Sequence, residues 1–162
     1  MKVLFLINKQ GTPSTRWRVL QRIPRLGASG IQCDIVEMSG GMVGKLRAIQ
    51  HASAYDIVVL QKRLLPKLLS NRLRSLARRL VFEFDDTLFL KRTESGVRVS
   101  DTRERRFRRI LKSTDAVVAA NDYLADIARR FVDDPTRVRV LTTAVDLGRW
   151  KPRGPARREW PL

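Results

Sequence analysis

Six short apolar runs constrain the fold of this chain more than any other feature. They are VLFLI at 3–7, IQCDIVEM at 31–38, YDIVVLQ at 55–61, LVFEF at 80–84, DAVVAA at 115–120 and RVRVLTT at 137–143. Several place apolar side chains on consecutive rather than alternate positions, the pattern of a strand buried on both faces. The intervening stretches change period. Around 66–79, Leu65, Leu68, Leu69, Leu73, Leu76 and Leu80 recur at steps of three and four, which predicts a helix. Residues 16–26 carry Val19, Leu20, Ile23 and Leu26 in the same manner, with Pro24 expected to kink or shorten that helix. A short helix is expected at 45–51, after a glycine-rich break (SGGMVG), and residues 90–100 read as a loop. Asp101 with Glu104 three positions on marks a helix start, and Asn121 is expected to cap a helix over 122–131.

Strands alternating with helices predict an α/β domain, a Rossmann-like, doubly wound, mostly parallel sheet of about six strands covered on both faces. At 162 residues the chain has room for one such core. Residues 1–150 are read as the domain, and the Pro-, Gly- and Arg-rich 151–162 as a linker toward a further domain.

Against this core stands an extreme charge: 33 Lys and Arg, 16 Asp and Glu, net +17. That field favours anionic partners. Nucleic acid is the weaker candidate, because aromatic residues are only 7% and no helix-turn-helix, zinc-finger or RNA-recognition signature occurs. An anionic membrane surface remains. Cys33 is the lone cysteine, so neither an internal disulfide nor a thiolate metal cluster can form, which fits a reducing cytosol. The opening MKVLFLIN is too short for a signal peptide's apolar region, and no run approaches a membrane span. A cytoplasmic location is expected, peripheral at the inner face of the plasma membrane.

Chemistry is expected where a strand ends in carboxylates, in RRLVFEFDDTLFLKR at 78–92. The haloacid-dehalogenase phosphatases carry Asp-x-Asp-x-Thr after such a strand. Here Asp85 and Thr87 sit in Glu83-Phe84-Asp85-Asp86-Thr87, but the nucleophile position holds Glu83. Its extra methylene would displace the attacking oxygen by about an ångström. Glu83 and Asp85 also share one strand direction while Phe84 takes the other, and Asp85 or Asp86 could simply cap the next turn. No metal ion and no cofactor is expected.

The whole chain resembles the N-terminal half of a GT-B glycosyltransferase of the family-4 (group 1) kind. The residues that carry the resemblance are MKVLFLIN…GTPSTRWRVLQRIPRL, YDIVVLQK, LVFEFDDTLF, ILKSTDAVVAANDYLADIAR and VLTTAVDLGRWKP, in that order. Asn121 stands where Ser is commoner in the family, Trp150 stands for Phe, and the Asp-Asp ending replaces a histidine found in many relatives. The resemblance implies acceptor-side participation in glycosyl transfer. The nucleotide-sugar donor would be held by a C-terminal domain that carries the family's Glu-x7-Glu motif, absent from this sequence. The sugar acceptor is expected to be lipid-linked or phosphorylated. A basic α/β module that binds nucleic acid or an anionic membrane without catalysis is the alternative.

On this reading Asp85 and Asp86 are the catalytic candidates. Gly11, Thr12, Ser14, Arg16 and Arg18 follow the first strand on the edge where open α/β sheets bind ligands, and with Lys62 and Asn121 they form the acceptor-binding set. Arg72, Arg74, Arg78, Arg79, Arg105, Arg106, Arg108 and Arg109 are the expected anion or membrane surface.

Overall fold

The computed structural model describes residues 1–94 and 96–144. Its centre is a six-stranded parallel sheet: β1 (Lys2–Ile7), β2 (Gln32–Glu37), β3 (Ile57–Gln61), β4 (Leu80–Phe84), β7 (Ala116–Ala119) and β8 (Val138–Val140). They lie in the order β2-β1-β3-β4-β7-β8, every neighbour parallel. All six coincide with the apolar runs. The chain winds leftward from β1 to β2, returns across β1 to β3, and then steps rightward. This reversal between β1 and β3 makes the fold doubly wound and opens a crevice at the carboxyl ends of those strands.

The helices are α1 (Pro13–Thr15), a π-helical turn at Arg16–Leu20, α2 (Ile23–Ala28), α3 (Gly41–Gln50), α4 (Lys67–Leu76), α5 (Asp101–Ser113) and α6 (Asp122–Arg129). Two cores lie on opposite faces of the sheet. The larger joins Leu4, Leu60, Phe82, Phe84 and Val117 to side chains of α3 to α6, such as Ile49, Leu73, Phe107 and Leu124. Phe107 packs edge-on against both Phe82 and Phe84. The smaller core, on the second face, gathers Val3, Phe5, Ile7 and Val19 with Ile23, Leu26 and Val59. So helices cover β1 to β3 on both faces. On β4 and β7 the second face carries the half-buried Val81 and Val118, which belong to neither core.

Two expectations need correction. Residues 90–100 form a hairpin, β5 (Leu90–Thr93) against β6 (Gly96–Val99), rather than a loop. The antiparallel register Leu90↔Val99, together with the Ser100 N–H donating to Phe89 O, closes it without a buried apolar face. The last four residues of the glycine-rich break belong to α3, which starts at Gly41 instead of 45. Gly40, in left-handed backbone, precedes the helix, and Gly44 packs on the turn before it: a Cβ there would lie 2.1 Å from Ser39 O. These glycines therefore start a helix.

Gly44→Ala must displace backbone, so it is expected to destabilise the fold by about 1–3 kcal/mol in urea unfolding. Gly27→Ala, inside α2 with open space around the added methyl, is expected to be neutral or stabilising by up to about 1 kcal/mol. Equal effects would mean that the contact with Ser39 is not tight.

Candidate functional site

The carboxyl ends of β1, β3 and β4 bring together most of the predicted site residues. Gln61 of β3 and Glu83 of β4 are register neighbours, and both are buried. An acid in the middle of an apolar strand needs a cation, and Arg18 supplies it. The Arg18 Nε donates to Glu83 Oε1 with both side chains buried. Its Nη1 donates to Thr143 Oγ1 at 2.9 Å and its Nη2 to Leu141 O at 3.1 Å. Arg22 Nη2 adds a bond to Thr142 O at 3.0 Å. Arg18 was expected to meet the acceptor. Instead it is a clamp that ties the π turn and β4 to the segment leaving β8. Burial pushes the Glu83 carboxyl above its ordinary range, against the opposing pull of Arg18.

One layer outward lies a polar chain. Thr15 Oγ1 donates to Gln61 Oε1 at 2.9 Å, and Thr12 caps α1, accepting from Thr15 N. Lys62 Nζ sits 2.5 Å from Asp85 Oδ1 and donates to Ser14 Oγ at 3.1 Å. Lys62 is the only non-glycine residue with positive φ among those described, at 49°. Such backbone costs about 1–2 kcal/mol and turns the side chain off the strand direction; strain of this kind gathers at functional positions. Its own N–H is tied to Glu83 O at 2.8 Å, which fixes the turn. Burial pushes the Asp85 carboxyl up, but the contacts with Lys62 and Ser14 and the charges of Lys62 and Arg18 outweigh it. The net effect is to hold Asp85 below the usual carboxylate range. Asp85 is therefore an anion at neutral pH, half-buried against Lys62 at the carboxyl end of β4.

The other candidates lie further out. Asp86 is exposed, and its Oδ1 accepts from Thr87 N at 2.7 Å, so it caps the turn after β4. Asn121 caps α6 through a 2.9 Å bond from Leu124 N, at the carboxyl end of β7. Gly11 is exposed with open space around it, and Arg16 is exposed beside the Trp17 ring.

The eight arginines of the expected basic surface divide among three places. Arg74 and Arg79 pair with Asp115, and Arg78 with Asp56, at the amino edge of the sheet, where Arg72 is exposed on α4. Arg105, Arg108 and Arg109 line a groove between α5 and the end of α6, where Arg108 also stacks over Phe131. Arg106 alone turns toward the carboxyl edge, into a cavity it shares with Lys62 and Arg63. Arg63 is anchored there by donating to Asn8 Oδ1 at 2.6 Å and Met38 O at 3.0 Å. Glu83 inside LVFEF was the sequence signal for a buried ion pair; nothing in the sequence singled out Arg18 rather than Arg16 as its partner.

No protein-family model matches this chain, and no curated protein matches it either. Among the described residues no helix is long and apolar enough to cross a membrane.

Removing one partner of the buried pair strands the other. Arg18→Met and Glu83→Leu are each expected to cost about 3–5 kcal/mol in denaturant unfolding. The double variant should recover the greater part, short of about 1 kcal/mol for each lost bond to Leu141 and Thr143. Additive losses would show that the pair is not coupled. The Asp85 pair has its own pH signature. With a folded pKa below the unfolded value, its contribution is present above the unfolded pKa and is lost as pH falls through the folded one. Asp85→Asn should therefore shrink the acid-side loss of stability in pH-dependent melts and leave the neutral side little changed in slope.

Proposed function

We propose that this chain is the acceptor-side, N-terminal domain of a nucleotide-sugar-dependent glycosyltransferase, incomplete for catalysis by itself. The observation that carries the reading is the Asp85 carboxylate at the carboxyl end of β4, held by Lys62 after β3 and Ser14 after β1. Support also comes from the sequence segments of the resemblance, whose ends at the first, third, fourth and fifth sheet strands reach this one edge. In this role Asp85 accepts a hydrogen bond from the acceptor hydroxyl and draws off its proton as the new glycosidic bond forms and the bond to the nucleoside diphosphate breaks. Lys62 balances the carboxylate and fixes its direction. Arg18 and Glu83 act on the site only through position, by keeping the π turn against β4. The donor is bound by a C-terminal domain, and the protein works in the cytoplasm at the inner face of the plasma membrane, on an acceptor carried there.

A second reading, a basic module that docks on anionic surfaces without catalysis, draws on the same charge of +17. Turnover separates the two. The 162-residue chain alone is expected to release no nucleoside diphosphate from a panel of nucleotide-sugars, and transfer to a lipid extract should appear once a donor-binding domain is supplied. Asp85→Asn in that two-domain enzyme should lower kcat by about 10²-fold or more with the fold retained. Robust turnover by the isolated chain would sink the half-enzyme reading, and an unaltered kcat in Asp85→Asn would leave Asp85 as nothing more than the counterion of Lys62.

A further inference from the structure

The cavity at the carboxyl edge, on the side of the larger core, has a volume of about 380 Å³ and five cations in its wall: Lys45, Lys62, Arg63, Arg103 and Arg106. Among the described residues no acidic one lines it. Lys62 is partly neutralised by Asp85. Arg63 and Arg103 are held in place by uncharged oxygens, of Asn8 and Met38 and of Leu90 respectively. Among the described residues neither Lys45 nor Arg106 has a carboxylate within ion-pairing distance. Converging cations repel one another, so such a wall is most stable with an anion between its members. Three guanidinium forks beside two ammonium groups match phosphate oxygens in geometry as well as charge. Pro66 puts the start of α4 in the same wall, adding the positive end of a ten-residue helix.

The two helices that contribute to this wall, α3 and α4, also carry exposed apolar side chains. Met42, Val43 and Leu46 are exposed on the first turns of α3, the helix that sends Lys45 into the cavity. Leu68, 76% exposed, stands on the first turn of α4, two residues after Pro66. The two helices pack against each other, and both begin at the carboxyl edge. Four large apolar side chains in water on the helices beside a strongly basic pocket are an unusual combination. A free phosphate would use the pocket and leave these side chains idle, whereas a phosphate borne on a hydrocarbon chain uses both.

We propose that this cavity is the binding site for a lipid-borne phosphate or diphosphate group, with the phosphate among Lys45, Arg63, Arg103 and Arg106 and the hydrocarbon against Met42, Val43, Leu46 and Leu68. As the place of the acceptor it rests on the glycosyltransferase reading; as a phosphate-lipid site it stands without it. The proposal separates this site from the α5–α6 groove, which holds as many cations.

The test is vesicle co-sedimentation of the 162-residue chain at low salt, which requires no turnover and so can succeed where the transferase reading fails. The vesicles are phosphatidylcholine doped with phosphatidic acid or with a polyprenyl phosphate, against phosphatidylcholine doped with phosphatidylserine at equal charge. Binding is expected to favour the phosphomonoester lipids. Lys45→Gln with Arg106→Gln should weaken it by roughly ten-fold or more, whereas Arg105→Gln with Arg109→Gln, an equal loss of charge in the other groove, should change it by less than about three-fold. Met42→Ser with Leu68→Ser should weaken vesicle binding and leave the binding of inorganic pyrophosphate unchanged. On the unaltered chain, pyrophosphate should compete with the vesicles, a readout that depends on no variant folding. Equal losses in the two charge pairs, or no preference for phosphomonoester lipid, overturn the site in favour of diffuse surface charge. Pyrophosphate binding that persists with no contribution from Met42 and Leu68 to vesicle binding overturns its lipid half. No vesicle binding at low salt overturns the whole.

Discussion

The ion pair between Arg18 and Glu83 governs how this sheet is finished on its second face. Opposite it, the first face is closed by aromatic packing of Phe82, Phe84 and Phe107, which needs no direction. Among the described residues, the π turn and α2 are what covers the second face, and these stop at β3. Between that cover and β4 the contact is ionic, not apolar. Two charges in a water-poor place are costly unless their geometry is satisfied, and Arg18 meets that condition with three separate partners. A pair of this kind accepts one arrangement and rejects its neighbours. It therefore fixes where the π turn sits, where β4 ends and how the chain leaves β8.

From that constraint follows the division of labour along the carboxyl edge. With Arg18 consumed, the cation nearest Asp85 is Lys62, and its left-handed backbone marks the boundary between two environments. On one side, Thr12, Thr15, Ser14 and Gln61 form a hydrogen-bonded lattice of uncharged groups that Lys62 joins through Ser14. On the other, the cations of α3, the β3–α4 loop and α5 converge without a carboxylate among them. An edge built this way can hold a hydroxyl at Asp85 and an anion a few residues away. That is the arrangement expected for a polar molecule carried on a phosphate.

The fold was legible because strands buried on both faces must be apolar at every position, and six such runs with helical spacers leave few other solutions. The pairing of β5 with β6 was not legible for the converse reason. Lys91, Arg92 and Arg98 face solvent, and the pairing rests on backbone bonds rather than on any buried pattern. Glycines misled at α3, where Gly40 and Gly44 serve close backbone packing before and within the first turn of a helix. At the candidate site, the sequence pointed to strand ends that the structure groups on one edge, but not to the contacts of individual groups. Arg16 and Arg18 are equivalent as letters, yet helical phase sets Arg18 beside buried Thr15 and Val19 and leaves Arg16 in water. Asp85 and Asp86 are likewise adjacent, and strand alternation carries only the first onto the side of Glu83.

The charge of +17 gains meaning from where its counterions are. At the amino edge Asp56 and Asp115 take up Arg74 of α4 and Arg78 and Arg79 just after it, so these three arginines contribute little field beyond their own neighbourhood. Helix-surface pairs such as Arg108 with Glu104 and Arg129 with Asp126 cancel locally as well. Two groups of cations that face a common space are left, one in the α5–α6 groove and one at the carboxyl edge, the latter beside the topological switch point. A low-dielectric wall around unpaired cations focuses potential outward, which raises the local concentration of anions before any contact is made. In this chain the sheet edge that the winding order opens for ligands is also a place where positive charge is left without counterions. Both follow from sequence, the first through the order of apolar runs, the second through the carboxylates that are missing between 39 and 82 except at Asp56.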